Sequence, residues 1–492
     1  MSAPPAAIDD ARDQALPGAP PGLWAALAAR ADGPEGGGPL LVGPRGDRWT
    51  AADLRGAATA RAAALRGGGL GPGQRVLVRS AGVDLLIDVF ALWRAGAVPA
   101  LLHPAVPPAA AEAWAARVGA VAPPTPGAPA RDLPPPPEGD APALLLRTSG
   151  STGPPKAALH GHAALAWCAA GMVQTLGLRP GDRLLAALPL SFHYGFSQVS
   201  AALLCGGAVV FEDSGLPAAR AALLAGGGVD VAALVPDLWA QLLPPPAGPG
   251  PRVLISAGGA LAPTLRAAVQ AAWPGAALHE LYGATECLRS LHLPPGADPG
   301  RGRLGRPVPG VAVAVIVEDE GGAQRLALPG EEGELVHAGA MLALELPGAE
   351  GPPAIRPCPP LGAARALFTG DRAARDAEGR LWHRGRRDLQ WKVGGLRVGP
   401  EEVEAALRAL PGVEDAVAFA VEDADLGLRV EAALRLAPGA PPLDGLLRAA
   451  RGQLPPWAAP RRLHPWAGAW PATDHGKLDR RAVSAACRPT AG

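Results

Sequence analysis

Lysine occurs at only three positions in this 492-residue chain, Lys156, Lys392 and Lys477, although Lys and Arg together number 45. Each lies in a short stretch that contains glycine. Lys156 closes the run Thr148-Ser149-Gly150-Ser151-Thr152-Gly153-Pro154-Pro155-Lys156. Small hydroxyl residues and glycines let backbone N–H groups close on phosphate oxygens, and a lysine adds a point charge. The same run also reads as an ordinary Gly/Ser turn between a strand and a helix. It is not the loop of a P-loop kinase or ATPase, because Pro155 precedes the lysine and Ala157 follows it. Lys392, in "LQWKVGGLRV", suits a surface loop when taken alone. Lys477, in "DHGKLDRR", suits a solvated tail lysine. Tyrosine is rarer still, with Tyr194 in "PLSFHYGF" and Tyr282 in "HELYGATECL". Two carboxylates sit in similar stretches, Glu286 after Thr285 and Asp371 in "TGD". Such groups hold hard cations or accept bonds from hydroxyls.

The elements that must carry these residues read as α/β. Helix-like "DLRGAATARAAALRG", strand-like "RVLVRS" and helix-like "DLLIDVFALWRAG" alternate. After "RGRRD" (384–388) the texture changes. "GPEEVEAALRAL" offers Pro400 at a first helical position with Glu401 and Glu402 in the first turn. "EDAVAFAVED" and "LRVEAALRLA" alternate as strands do, and "LDGLLRAARGQL" reads as a helix. This is a small α+β unit of about one hundred residues, a size ordinary for a domain. "TGDRAARDAEGRLWHRG" reads as a β-hairpin with turns at Gly-Asp and Glu-Gly. The Pro-rich segment 123–140 reads as an exposed loop, and 244–251 separates a helix from the strand "RVLISAG".

Composition bounds the rest. Gly and Pro number 65 and 58, a level that can signal low complexity. Asn is absent altogether, which points to a GC-rich coding sequence instead. Net charge is zero at neutral pH, so nothing suggests a nucleic-acid or membrane-surface partner. The N-terminus lacks the pattern of a signal peptide, and no apolar run reaches spanning length. The five cysteines are scattered without a C-x-x-C, which suits a reducing, cytoplasmic setting rather than a disulfide frame or zinc site.

Taken in order, "TSGSTGPPK", "YGATE", "TGD", "GRRDLQWKVGGLRV" and "GKLDRR" resemble the adenylate-forming superfamily of acyl- and aryl-CoA ligases, carrier-protein adenylation domains and luciferases. The resemblance implies a two-step reaction. A carboxylate attacks the α-phosphate of ATP, giving an acyl-adenylate and pyrophosphate. A thiol then takes the acyl group and AMP leaves. It implies ATP-binding roles for Thr148, Ser149, Gly150, Ser151, Thr152, Gly153 and Lys156 at the departing phosphates, and for Gly259, Ala260, Tyr282 and Gly283 around adenine. Thr285 would meet the α-phosphate, Glu286 would hold Mg²⁺, and Asp371 and Arg386 would hold the ribose. Lys477 would bridge the attacking carboxylate and the α-phosphate, where a flexible point charge serves better than the planar fork of arginine. Lys392 would act in the thioester-forming conformation, with Gly395 leaving room for a pantetheine arm and Asp388 as hinge. Two departures stand out: Ala157 where Gly is commoner in the family, and Ala472 where many relatives carry Arg. Neither removes a catalytic group.

By the same resemblance the fold has a flexible lead-in (1–20) and a large N-terminal domain (21–386) with two helix-flanked β-sheets and a distorted β-barrel. A hinge (387–388) and a small mobile α+β cap (389–492) carrying Lys477 follow, with the active site at their junction. The acid would be lined by His193, Tyr194, Phe196, Trp239, Gly258, Gly283 and Ala284. That set suggests an aryl or compact hydrophobic carboxylic acid, and "SFHYGFSQ" is similar to benzoate-type ligases. His193 reads equally as a hydrogen-bonded core histidine, and Cys287 as a small buried residue. The acceptor is CoA or the phosphopantetheine of an acyl or aryl carrier protein. A free-standing ligase is slightly favoured, and a catalytically silent nucleotide-binding relative stays open as the contrasting reading.

Overall fold

The computed structural model describes residues 18–34, 37–148, 156–245, 247–298, 300, 302–319, 321–349, 353–386, 391–393, 396–423, 427–454, 456, 458–473 and 478–487. The chain forms two compact units. The first comprises 1–331, 335–369 and 375–382, and the second 332–334, 370–374 and 383–492.

In the first unit, short wholly apolar runs become parallel strands, as expected when helices cover both faces of a sheet. One five-stranded sheet runs in the order Ala120–Val121, Arg75–Val78, Val98–Leu101, Pro142–Thr148 and Lys156–Gly161. Its first three pairings are parallel and its last antiparallel. The helix Ala51–Gly67 starts at a capping box in which the Thr50 and Asp53 side chains satisfy each other's backbone N–H groups. The helix Gly82–Arg94 buries Leu85, Leu86, Val89, Phe90 and Trp93.

A second sheet contains Ala277–Tyr282, Val253–Ser256, Val231–Leu234, Arg183–Ala186, Ala208–Phe211 and Pro39–Val42 as parallel neighbours. Antiparallel strands Leu291–Leu293 and Arg303–Pro307 continue it. The path then runs through Leu381–Arg386, Ala363–Arg375, Glu332–Gly339, Val311–Glu318 and Gln324–Leu326. These last strands, where a distorted barrel is expected, extend the sheet path, and among the described residues no closed ring forms.

The second unit packs the helices Pro400–Arg408 and Leu443–Gln453 on the strands Val413–Asp423, Gly427–Leu436 and Arg462–Pro465. Val393, Val398, Val403, Leu407, Leu410, Val430, Leu434, Leu446 and Leu463 form its core. Pro400 occupies the first turn of its helix with Glu401 and Glu402 beside it.

Two local expectations need correction. Lys156 leads into a strand, and the helix begins only at His162. "KAALHG" pairs antiparallel with Pro142–Thr148, closing a hairpin in which Thr148 faces Lys156. Gly370-Asp371 is not a turn either. It lies inside the 13-residue strand Ala363–Arg375, with Gly370 at φ 76° absorbing the irregularity. The turn at Asp376–Gly379 does form.

The Pro-rich segment 123–140 has no regular structure but is fastened. Gly127 and Ala130 donate to the carbonyls of Ala64 and Ala63 at 3.0 Å, on the last turn of the helix Ala51–Gly67. A Cβ on Gly67 would lie 1.8 Å from the Ala128 carbonyl oxygen, and one on Gly68 would lie 2.2 Å from that of Thr125. Glycine is what permits this approach.

Candidate active site

The parallel strands Val253–Ser256 and Ala277–Tyr282 run side by side; the first ends at Ser256, opposite Glu280, and the second runs on to Tyr282. Ligands of open α/β sheets bind beyond such carboxyl ends. Gly258, Gly259 and Ala260 follow the first strand and are exposed. Gly258 is in the left-handed region at φ 83°. A Cβ on Gly259 would reach only ordinary contact with Pro236, at 3.6 Å, so packing inside the chain does not demand glycine there. Half-buried Tyr282 ends the second strand.

The loop after Tyr282 is closed tightly on itself. Ser290 N–H donates to the Tyr282 carbonyl at 3.0 Å and Cys287 N–H to that of Ala284 at 3.1 Å. A Cβ on Gly283 would lie 2.1 Å from the Leu288 carbonyl oxygen. Leu288 has φ 55° and is the one non-glycine residue with positive φ among those described. Such strain is held only where the surroundings over-determine it, typically at functional sites. Two outside contacts fix the loop further. Ala343 N–H donates to the Glu286 carbonyl at 2.9 Å, and His160 Nε2 lies 2.8 Å from the Thr285 carbonyl oxygen. A carbonyl only accepts, so His160 carries its proton on Nε2. Burial holds this imidazole neutral, lowering its pKa to about 4.

Thr285 and Glu286 are half-buried. Among the described residues Glu286 has no ion-pair partner, and no cluster of three or more metal-ligating side chains occurs. A carboxylate without an ion-pair partner among the described residues is chemistry that Mg²⁺ accepts, since it binds through one or two carboxylates and keeps several waters.

His193 and Tyr194 open the helix His193–Cys205. The Tyr194 hydroxyl donates to the Ile255 carbonyl at 3.1 Å and lies 3.3 Å from that of Leu234. This ties the helix to the ends of two parallel strands. Burial raises the Tyr194 pKa, and the nearby Arg289 charge only partly offsets that. His193 is kept neutral by burial first and by Arg289 and His160 second.

Two of the expected lining residues are deeply buried. Trp239 is wholly buried, 5.7 Å centroid to centroid from Trp273, with its indole N–H 3.3 Å from the Ile255 carbonyl oxygen. Phe196 packs edge-on to Trp93. Both are large rings whose burial stabilises the core. Ala284 packs with Cys287, Leu342 and Leu367.

The residue that sequence reasoning missed is Arg289. Its guanidinium carbon stands 4.5 Å from the centroid of the Tyr194 ring, and its Nη2 is 3.4 Å from the Ser197 hydroxyl. The available signal was a lone charge in "CLRSLHL", all seven residues of which are buried.

Within the second unit, Asp371 is 5 % exposed, and Arg386 Nη1 donates to its Oδ1 at 2.9 Å. His383 Nε2 stands 3.9 Å from the same oxygen. The neighbouring Gly370 N–H donates to Glu334 at 2.8 Å. Lys392 lies on the strand Trp391–Val393, opposite Arg397; its side chain, and that of Thr148, lie outside the described residues. So do Ser149, Gly150, Ser151, Thr152, Gly153, Asp388, Gly395 and Lys477. Lys156 is half-buried at the start of its strand.

Comparison with known proteins agrees with this architecture. Residues 120–345 match the AMP-binding enzyme family and residues 402–477 match the AMP-binding enzyme C-terminal domain. The chain is 32% identical over 355 residues to a probable non-canonical nonribosomal peptide synthetase, CymA, of Salinispora arenicola. The match covers 70% of this chain and 4% of that protein. It is 34% identical over 347 residues to novobiocin biosynthesis protein H of Streptomyces niveus, covering 69% of this chain and 56% of the relative. The ATP-bound crystal structure of MatB from Rhodopseudomonas palustris superposes with a TM-score of 0.81 at 24% identity, covering 94% of this chain and 98% of that one. The fold and the family matches point the same way. The chain belongs to the AMP-binding enzyme family.

Proposed function

We propose that this enzyme adenylates a carboxylic acid with ATP and passes the acyl group to a pantetheine thiol. In the first step a carboxylate oxygen bonds to the α-phosphorus and pyrophosphate leaves. In the second, the thiol sulfur bonds to the acyl carbon, a proton is lost, and AMP leaves. The observation that carries this reading is the Tyr282–Ser290 loop. It brings an aromatic face, a hydroxyl and an available carboxylate to the ends of two parallel strands.

Tyr282 stacks on adenine over Gly259, Ala260 and Gly283. Thr285 donates to the α-phosphate. Glu286 takes Mg²⁺, which neutralises phosphate charge when bound. Thr148–Gly153 and Lys156 receive the departing phosphates. Asp371, with two carboxylate oxygens, accepts from the ribose hydroxyls, and Arg386 holds that carboxylate in place. Lys477 neutralises charge where carboxylate and α-phosphate meet, an interaction strongest in the transition state. Lys392 and Gly395 serve the thioester step, and Asp388 is the hinge between residues 21–386 and 389–492. The acceptor is CoA, with a carrier-protein phosphopantetheine as the alternative that the relationship to CymA keeps open.

The test is carboxylate-dependent ATP–pyrophosphate exchange without thiol, with AMP and pyrophosphate as products. Lys477→Ala is expected to fold and bind ATP while losing exchange on the order of a hundredfold or more. Wild-type exchange by that variant would sink the mechanism. ADP as the product would sink the reaction class. Adding CoA or a holo carrier protein then identifies the acceptor.

A further inference from the structure

The most deeply buried arginines divide two to one. Arg220, Arg266 and Arg289 are the arginines below a tenth exposed among the described residues. Arg220 is paired with Glu212 and Arg266 with Glu280. Among the described residues, no carboxylate pairs with Arg289. It meets the Tyr194 ring and the Ser197 hydroxyl, and among the described residues its Nε has no hydrogen-bond partner. Arginine cannot shed its charge. A buried cation is tolerated when paired and is otherwise strongly unfavourable, and a ring face compensates only in part. The Arg289 guanidinium is thus a desolvated cation of the kind that pairs with an anion.

Position says where that anion comes from. Arg289 follows Glu286 by three residues in the loop that Gly283 closes, and its fork lies against Tyr194, in the first turn of the helix His193–Cys205. Across from it His193 is neutral, with Nε2 also lacking a partner. His193 and Tyr194 are two of the residues that the family resemblance places around the acid. Phe196 and Trp239 are withdrawn into the core, so little aromatic surface remains to favour a purely apolar acid.

We propose that Arg289 binds a second anionic group on the acid this enzyme activates. The substrate is a compact molecule with one carboxylate that is adenylated and another oxyanion, carboxylate or sulfonate, that pairs with the guanidinium and takes no part in bond-making. This rests on the adenylation reading and narrows its substrate class.

The experiment compares matched acids: succinate with butyrate, phthalate with benzoate, and 3-sulfopropionate with propionate. ATP–pyrophosphate exchange and direct binding by calorimetry are both measured, for wild type, Arg289→Leu and Arg289→Lys. Wild type should favour at least one dianion over its matched monoacid by about a hundredfold or more in kcat/KM, as desolvated charge pairs do. Arg289→Leu should reverse that preference, losing the dianion and gaining on the monoacid, and Arg289→Lys should keep part of it. The carboxylate and sulfonate arms show which oxyanion is preferred. Because Leu removes a buried unpaired charge, the unliganded variant should melt no lower than wild type; a large drop would mark Arg289 as structural and overturn the proposal. Equal losses on both members of a pair would place Arg289 at the reacting carboxylate and overturn it too. A preference of wild type for monoacids, or no Arg289-dependent binding of any dianion, would do the same. Arg289-dependent dianion binding without exchange would instead leave the anion site standing and remove the adenylation reading.

Discussion

Five histidines of the first unit are buried and neutral. Burial lowers His160, His162 and His279 to about 4, and His292 and His337 to about 3. Two pairs are linked: His279 Nδ1 meets His292 Nε2 at 2.8 Å, and His337 Nδ1 meets the Ser290 hydroxyl at 2.7 Å. As pH falls below about 6.5, the unfolded chain takes up these protons first. Their stabilisation is therefore complete above that pH and drains away as pH falls toward 4, on the order of 3 kcal/mol for a single such histidine. The melting temperature followed by calorimetry should drop steadily over that interval, and a flat profile would mean that these rings are hydrated. At this scale the sequence was partly legible. Tyr194 and Tyr282 stand out by rarity. The destination of the Tyr194 hydroxyl, a carbonyl sixty-one positions away, needs the tertiary fold. Arg289 escaped because arginine is everywhere in this chain, so a buried one looks like any other until its partners are counted.

At the scale of elements, the Tyr282–Ser290 loop is the piece on which most depends. Gly283 is essential to it for a steric reason: any side chain meets the Leu288 carbonyl. Gly283→Ala should open the loop, displace Thr285, Glu286 and Arg289 together, and cut exchange by at least tenfold, while far-UV circular dichroism stays native. Unaltered kinetics would show that the loop yields without consequence. Helices with strong signals, such as Pro400–Arg408 with proline in its first turn, were readable from local rules. The strand Lys156–Gly161 was not, because six residues of apolar sequence fit the edge of a sheet as well as the entry to a helix. The Gly370-Asp371 pair misled for a related reason. Local turn chemistry was outvoted by thirteen residues of continuous strand pairing.

For the molecule as a whole, the second unit owns a hydrophobic core. Its buried cluster and the partly buried residues against it come entirely from positions 391–463. The clusters around Trp239 and around Trp114 come entirely from the first unit. Separate cores unfold as separate cooperative blocks. Scanning calorimetry should then give a calorimetric enthalpy larger than the van't Hoff enthalpy, and equality of the two would mean a single cooperative block. The α/β class was legible throughout from alternating patterns. The pairing of distant strands was not, since it is set by packing rather than by any one segment.

The Pro-rich segment 123–140 looks, by letter count, like a place where the gene could be divided. Its attachment says otherwise. Gly127 and Ala130 are bonded main chain to main chain onto the end of a helix, and Gly67 and Gly68 make the room for it. Splitting the coding sequence near residue 127, or splicing in a tag or reporter there, would strip a helix end of its cover. A cut chosen for a two-piece, complementing form of this protein belongs elsewhere.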